Sequence, residues 1–441
     1  MVLKICKIVA IVLLVSVLAL TTVNLFYVGD NTNCAIVVVH GMAGGGLVDK
    51  DGNPIWDPFG GELYYKNFFT DPIAMIVDIV FGQQYAKNTK QLLDDILAND
   101  PNNLIYQLTS DQDGNIKDNG IVAATADSRL PYGPLQAYKD IYQGLYNEFN
   151  DDIEVVLFQY DFRQDNYTSA QNLENFINQN GWDEVIICAH SMGSVVTSCY
   201  LAKSQENRDK VRGFMSMAGA LLGSTNALAV YEQPEIYIGG VYDMLDQLPA
   251  LKKVIGNKID NIVQEQILPF INNMASVGQL LPSMEYAHFL KEYYGQAFLT
   301  VNGKEITTNE ELMIFYLSRP WARKTNGTTK AFMMDLPNFM NSFFGHENGE
   351  RYHVTQLVNT FYFAGNGLHT ATGATVSGDK TKLYYTSLGD GTVPLYSATI
   401  GLNPKDNYNV KVYEGKSHLD IGMLYDGQFA QDLTAAIRFL L

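Results

Sequence analysis

The sequence is poor in cysteine, in charge and in basic residues, and each shortage excludes a class of protein. Its four cysteines, Cys6, Cys34, Cys188 and Cys199, provide neither a disulfide framework nor the ligand spacing of a metal site. Charged residues make up only 17% of the chain and hydrophobic residues 47%, which excludes bulk disorder. The formal net charge of −17 argues against nucleic acid as a partner and against electrostatic docking on anionic lipid. The fold must therefore rest on a hydrophobic core, and any membrane contact must be apolar.

One long apolar run lies near the N-terminus, where two lysines precede residues 8–23. This run is shorter than the roughly twenty residues of a comfortable membrane span. We predict that residues 1–24 form a signal peptide, with an uncleaved membrane anchor as the alternative. Either places the rest of the chain in the secretory pathway, secreted or in a lumen like that of a lysosome or vacuole. Asn166 and Asn326, each in an Asn-x-Thr sequence, are then candidate glycosylation sites.

The stretch around Ser191 has the pattern of a nucleophile elbow. Val185 to Cys188 is a short apolar run typical of a buried strand, and an apolar helix follows the turn Ala189 to Gly193. An elbow needs this strand, a turn between small residues and a helix, so that the serine hydroxyl stands clear of the sheet. Ala189 replaces the first glycine of the usual Gly-x-Ser-x-Gly pattern, at some steric cost. The alternative is a serine that merely caps a helix.

A glycine-rich loop follows the first strong strand, Ala35 to Val39. Its backbone amides suit an oxyanion hole, which needs two N–H groups; we predict those of Met42 and of Met192, with Ala43 as the neighbouring choice for the first. The alternative, a phosphate-binding loop, lacks both the Gly-Lys-Ser/Thr and the dinucleotide spacing. We predict no cofactor and, from the lack of metal-ligand spacing noted above, no metal. His40 is expected to orient the loop.

Residues 51–100 are unusually aromatic for a segment that follows a strand. Trp56 is one of several aromatic residues there, and residues 73–81 are apolar. The segment is either a core helix or, alternatively, a mobile lid or membrane-docking patch.

Strands alternate with helices along much of the chain, which predicts a parallel α/β sheet. Between residues 224 and 350 apolar helical segments dominate, and we predict a helical cap inserted between core segments 35–223 and 351–441. The strands expected in addition to the two named above are 153–158, a strand and loop over 211–219, 359–365, 383–388 and 410–413.

Ser191 needs a base and an acid, which in an α/β-hydrolase follow the serine in the order acid, histidine, at the ends of late strands. Asp390 lies in a Gly-Asp-Gly turn and His418 in a loop after the last predicted strand, so both match that order. We predict Ser191, Asp390 and His418 as the catalytic residues in an α/β-hydrolase fold. The competing bases are His288, His346, His353 and His369, and the competing acids are Asp379 and Asp406.

The chain resembles the lecithin:cholesterol acyltransferase family, which includes lysosomal phospholipases and phospholipid:diacylglycerol acyltransferases. The discriminating motif is Tyr-Asp-x-Arg, here with Phe162 where the family has Trp. The motifs that carry the resemblance are 38–44, Tyr160-Asp161-Phe162-Arg163, 189–193, Gly389-Asp390-Gly391-Thr392-Val393-Pro394 and His418-Leu419.

The resemblance implies acyl transfer from a glycerophospholipid, at a membrane or lipoprotein-like surface, to water or a lipid alcohol. It also implies that Trp56 is a lid aromatic that touches substrate. From the residues themselves, Asp161 and Arg163 are expected to form a buried charge pair that braces the site. Two alternatives stay open: a lipase or esterase that acts on neutral or small esters, and an inactive lipid-binding protein.

Overall fold

A computed structural model describes residues 33–55, 104–125, 132, 136–233, 263–347, 350–378 and 380–441. The predicted signal peptide or anchor, Trp56 and the segment 56–100 lie outside these residues.

Six of the described strands form one parallel sheet in the order β14-β11-β6-β5-β1-β4. Because all six run in the same direction, their carboxyl ends meet at one edge, where the loops of parallel sheets form sites. The mostly parallel sheet predicted from the alternation of elements is confirmed. The six strands are β1 (Cys34–Val39), β4 (Glu154–Phe158), β5 (Glu184–His190), β6 (Val211–Met217), β11 (Thr360–Asn366) and β14 (Val410–Glu414).

Helices cover both faces of this sheet, which explains why its central strands are apolar throughout. Along β1, Val37 and Val39 pack on one face while Ile36 and Val38 pack on the other. The first face is covered by α3 (Asn166–Asn180) and α4 (Met192–Lys203), and the second by α2 (Lys139–Phe149) and α13 (Gly427–Leu440). The short elements between them are β2 (Leu47–Val48), α1 (Leu104–Leu108), β3 (Val122–Ala123) and α5 (Gln205–Asp209).

The predicted cap region is rich in helices, as its apolar segments indicate. Ser283 and Thr308 side chains cap two of these helices by accepting a backbone N–H three residues on. The helices are α6 (Thr225–Glu232), α7 (Leu268–Asn272) after a π-helical turn (Val263–Ile267), α8 (Ala275–Gly278), α9 (Met284–Tyr294), α10 (Asn309–Ser318) and α11 (Ala331–Asn341).

A second sheet crosses the predicted boundary between cap and core. Its order is β13-β12-β7-β8, with β7 (Leu299–Val301) and β8 (Lys304–Glu305) from the cap and β12 (Thr370–Ser377) and β13 (Lys380–Thr386) from beyond residue 351. The strand expected at 383–388 therefore exists as β13 but lies outside the main sheet. The sequence pattern of a segment predicts that it forms a strand, but not which other strands it pairs with. The remaining elements are β9 (Phe344–Glu347), β10 (Glu350–His353), α12 (Leu395–Ala398) and two 3₁₀ turns (Pro320–Ala322 and Val354–Leu357).

Hydrogen bonds connect the cap to loops at the carboxyl edge of the main sheet. Ser276 Oγ donates to Phe162 O at 2.7 Å, after β4. Ser224 Oγ donates to Thr392 O at 2.6 Å, beside the predicted acid. The predicted cap region therefore contacts loops at the edge where the predicted site residues converge.

One expectation about glycosylation is wrong. The side chain of Asn166 is fully buried at the start of α3, and its backbone N–H donates to Gln279 Oε1 at 2.7 Å, so the folded chain has no room for a glycan there. Asn326, by contrast, lies in an exposed turn. Among the described residues, no helix has both the length and the apolar character to span a membrane.

Candidate active site

Ser191 stands on a sharp turn between β5 and α4. Its φ of 55° and ψ of −124° lie in a region that L-residues rarely adopt, which is the strained geometry of a nucleophile elbow. The turn needs a small residue at Gly193, because a Cβ there would lie 2.6 Å from the carbonyl oxygens of Val39 and His40. The backbone N–H of Ser191 donates to Met217 O at 2.9 Å and so continues the ladder with β6.

The structure brings Ser191, His418 and Asp390 together in one hydrogen-bonded chain. Nε2 of His418 lies 2.8 Å from Ser191 Oγ, and Nδ1 of His418 lies 2.8 Å from Asp390 Oδ2. Ser191 is 9% exposed, His418 8% and Asp390 2%, so these hydrogen bonds are almost completely shielded from water. An imidazole that bridges a hydroxyl and a carboxylate in this way can take the hydroxyl proton and share its new charge with the carboxylate.

Asp390 lies close to the end of β11 in space, although the hairpin β12–β13 separates the two in sequence. After the hairpin the chain comes back beside the end of β11, where Leu368 N donates to Gly389 O at 3.0 Å. The second carboxylate oxygen, Oδ1, accepts from Thr392 N at 2.9 Å and from Val393 N at 2.7 Å. With Oδ1 held by two amides, Oδ2 is directed at the imidazole.

The competing histidines and acids lie elsewhere. His288, His346 and His369 are exposed, and the ring of His369 stacks on Tyr385. His353 is buried, hydrogen-bonded to Thr355 Oγ1, and burial lowers its pKa to about 3. Asp406 is exposed, and Asp379 lies outside the described residues.

The glycine loop passes directly over the elbow. A Cβ on Gly41 would lie 2.8 Å from Ser191 Cβ, so only glycine allows this approach. The N–H of Gly41 donates to Tyr138 Oη at 2.7 Å and is therefore not available to an oxyanion. The next amide along the loop is that of Met42. The other predicted donor, Met192, is the first residue of α4, where the helix dipole favours negative charge.

His40 holds the loop rather than reacting. Its ring stacks on Tyr160, with centroids 4.0 Å apart and planes 3° apart. Nε2 accepts from Tyr160 N at 3.3 Å, so the proton is on Nδ1, which lies 2.9 Å from Gly41 O. Full burial lowers the pKa of His40 to about 4 and keeps the ring neutral near pH 7.

Asp161 and Arg163 form a buried bidentate ion pair. Arg163 Nε donates to Asp161 Oδ1 at 2.9 Å, and Nη2 donates to Oδ2 at 2.5 Å. Arg163 Nη1 also donates to Leu108 O at 3.0 Å, so the pair joins the loop after β4 to α1.

Two residues at the site were not singled out from the sequence. Tyr138 and His190 connect the glycine loop to the loop that carries His418. His190 lies within the turn of the predicted elbow, and Tyr138 lies immediately before α2. Their pairing joins residues 52 positions apart, and no local pattern signals it.

A family profile described as lecithin:cholesterol acyltransferase matches residues 123–251. The matched segment includes Asp161, Arg163 and Ser191, and it ends before Asp390 and His418. No curated protein matches the chain significantly.

Two solved structures are similar to the chain. A chain from the crystal structure of the Tle4–Tli4 complex is 13% identical, covers 93% of this chain and 99% of its own length, and superposes with a TM-score of 0.53. The mature form of the Bacillus licheniformis lipase BlEst2 is 12% identical and covers 69% of this chain and 86% of its own, with a TM-score of only 0.31, too low to indicate a common fold. At such identities the first likeness concerns the fold alone.

The parallel sheet, the elbow and the family match agree with one another. The predicted α/β-hydrolase fold is confirmed, and the match supports an enzyme that hydrolyses or transfers acyl esters in general. The predicted resemblance is confirmed as well: residues 123–251 match the profile of the lecithin:cholesterol acyltransferase family.

Proposed function

We propose that the protein is a serine-dependent phospholipase and acyltransferase that cleaves an acyl ester of a glycerophospholipid through an acyl-enzyme. The observation that carries the proposal is the hydrogen-bonded chain from Ser191 through His418 to Asp390. The family signature supports lipid acyl esters as the substrate class.

In the first half-reaction Ser191 Oγ attacks the ester carbonyl while its proton passes to His418 Nε2. The imidazolium is stabilised by Asp390 Oδ2, and the amides of Met42 and Met192 stabilise the negative oxygen of the tetrahedral intermediate. As the intermediate collapses, the carbon–oxygen bond to the lysolipid breaks and His418 returns the proton to that leaving oxygen. The acyl group is now an ester of Ser191.

The second half-reaction repeats these steps with a new nucleophile. His418 removes a proton from water or from a lipid alcohol, whose oxygen attacks the acyl-enzyme and releases Ser191. A fatty acid results from water and a new ester from the alcohol. The near-complete burial of the three reacting side chains supports a role for water exclusion in choosing between them.

The test is product analysis with phosphatidylcholine vesicles that contain a long-chain alcohol. The wild type is expected to release lysolipid together with fatty acid, alkyl ester or both, and Ser191→Ala to release neither. A fluorophosphonate should label the wild type at Ser191. Turnover of short soluble esters without attack on vesicles would favour the esterase alternative, and failure to label would favour an inactive binding protein.

We also propose that residues 1–24 direct the chain into the secretory pathway, where it meets a phospholipid surface. The position of Lys4 and Lys7 before an apolar run supports this. Expression of the full chain in a eukaryotic host tests it: the protein should enter the lumen or the medium. In that setting Asn326→Gln should remove a glycan and Asn166→Gln should not, whereas cytosolic retention would contradict the proposal.

A further inference from the structure

A chain of buried hydrogen bonds runs behind Ser191 from the glycine loop to the histidine loop. Gly41 N–H donates to Tyr138 Oη at 2.7 Å, and Tyr138 Oη lies 2.7 Å from His190 Nδ1. On the far side of the ring, His190 Nε2 lies 3.0 Å from His418 O. All of these groups are buried, so each hydrogen bond satisfies polar atoms that water cannot reach.

The direction of every hydrogen bond in this chain is determined. A carbonyl oxygen only accepts, so the proton of a neutral His190 ring must be on Nε2. Nδ1 is then an acceptor, and Tyr138 must donate its hydroxyl proton to it while accepting from Gly41 N–H. His190, the residue before the nucleophile Ser191, therefore connects the glycine loop with the loop that carries His418.

We propose that Tyr138 and His190 are positioning residues, which hold the glycine loop and the backbone of His418 in register on either side of Ser191. The proposal rests on the proposed function of Ser191 and extends it. His418 is fixed from both sides of its own backbone, because its N–H donates to Asp390 O at 2.9 Å while its carbonyl accepts from His190.

The same arrangement keeps a second positive charge away from the catalytic base. The rings of His190 and His418 lie 4.8 Å apart, so an imidazolium at 190 would oppose the imidazolium that forms at 418 during the reaction. A proton on Nδ1 would also leave the Tyr138 hydroxyl without its acceptor. Burial, with His418 and His40 as like-charged neighbours when protonated, holds the pKa of His190 well below its usual range.

Tyr138→Phe tests the proposal, with the saturation kinetics of Ser191 labelling by a fluorophosphonate as the readout. We expect the maximal labelling rate to fall by about 10- to 100-fold, because the oxyanion amide of the glycine loop and the base lose their common support. The reagent concentration at half that rate should stay near the wild-type value, since the change moves the reacting groups and not the surface that binds the reagent. In Tyr138→Phe/His190→Gln the rate should fall little further than in either single variant, because both changes break the same hydrogen-bond chain.

Tyr142→Phe is the matched control, since it removes a phenol hydroxyl one turn further along α2, where Tyr142 Oη is 3.4 Å from Val155 O. It should leave both kinetic values unchanged. An unchanged maximal rate in Tyr138→Phe, or a loss that lies only in the half-saturating concentration, would overturn the proposal. So would losses of the two single variants that simply add in the double variant.

If Tyr138→Phe does not fold, His190→Gln alone carries the test, with a slower maximal labelling rate expected. A wild type that never labels would refute the proposed function instead. In that case the ¹⁵N shifts of the His190 ring still decide the hydrogen-bond chain: they should show Nε2–H and an unprotonated Nδ1 at pH values below the usual histidine pKa, because burial holds the pKa of this ring well below that value.

Discussion

Two of the buried carboxylates in the described residues, those of Glu232 and Asp390, differ in the group that faces them. At the junction of cap and core, Glu232 Oε1 accepts from Arg319 Nε at 2.7 Å and Trp321 Nε1 at 2.6 Å. Its Oε2 accepts from Arg319 Nη2 and Thr381 Oγ1, both at 2.6 Å. At the sheet edge, both oxygens of Asp390 also have partners: two backbone amides and the ring of His418.

The difference lies in what the partner can do with its proton. A guanidinium stays charged at any pH that a folded protein meets, so the Glu232 cluster can only hold α6, the 3₁₀ turn at 320–322 and β13 together. An imidazole can take a proton from a neighbouring hydroxyl and return it, so a carboxylate beside it, as at Asp390, can take part in a proton transfer. A full set of hydrogen bonds therefore does not distinguish a structural carboxylate from a reactive one. The ability of the partner to exchange its proton does.

The largest effect is expected from Ser191→Ala, which removes the reacting group and leaves its neighbours in place. Activity should fall by about 10⁶-fold, because the base and the amides cannot act without a nucleophile. Thermal unfolding should change little, since only one hydroxyl is lost. Acyl-ester turnover by the purified variant is the measurement, and retention of more than about 1% of activity would contradict the assignment of Ser191.

Asp390→Asn should lower the rate by about 10⁴-fold, because an amide at this position favours the wrong tautomer of His418. Turnover and unfolding are measured together. The fold should survive, since Thr392 and Val393 N–H can still donate to the amide oxygen. A loss of unfolding free energy as large as the loss of activation free energy would mean that Asp390, like Glu232, only holds its neighbours together.

Glu232→Gln is the matched change at the junction and should show the opposite pattern. It leaves the buried part of Arg319 without a counter-charge, which typically costs about 3 kcal/mol of unfolding free energy. Chemical denaturation measures this cost. Fluorophosphonate labelling of the folded fraction should stay within about threefold of wild type, a factor equal to less than 1 kcal/mol of activation free energy. A selective loss of labelling would show that the junction takes part in the chemistry.

Lys330 sharpens the comparison, because it buries a charge against neutral oxygens. Its Nζ donates to Asn272 O at 2.6 Å and to Asn273 Oδ1 at 3.0 Å, and burial lowers its pKa from 10.5 to about 8. Between these values the unfolded chain binds more protons than the folded one, so stability should rise with pH from about 8 to 10.5.

At about 1.4 kcal/mol per pH unit, the rise amounts to at most about 3 kcal/mol. Lys330→Met lacks the titrating group, so the unfolding free energy of the wild type minus that of Lys330→Met should rise by that amount over the same range. Other groups that titrate there cancel in the difference. A constant difference would mean that the unfolded and folded pKa values of Lys330 are equal.

The sequence by itself determined the local pieces of this protein. The run before Ser191, the small residues around it and the glycine loop after β1 each act within about ten residues, and both turns formed where the pattern indicated. Backbone sterics and alternating burial decide such features before any distant contact is made. The order of serine, acid and histidine could likewise be read along the chain, and the structure brings all three together.

Tertiary structure alone decided which distant groups meet. It placed β13 beside the cap strands, buried the side chain of Asn166 and joined Tyr138 to His190. It also paired His190 with a carbonyl 228 positions away. Such contacts depend on how loops close and how buried polar groups find partners, and the free energy of these choices belongs to the whole packed chain rather than to any short segment.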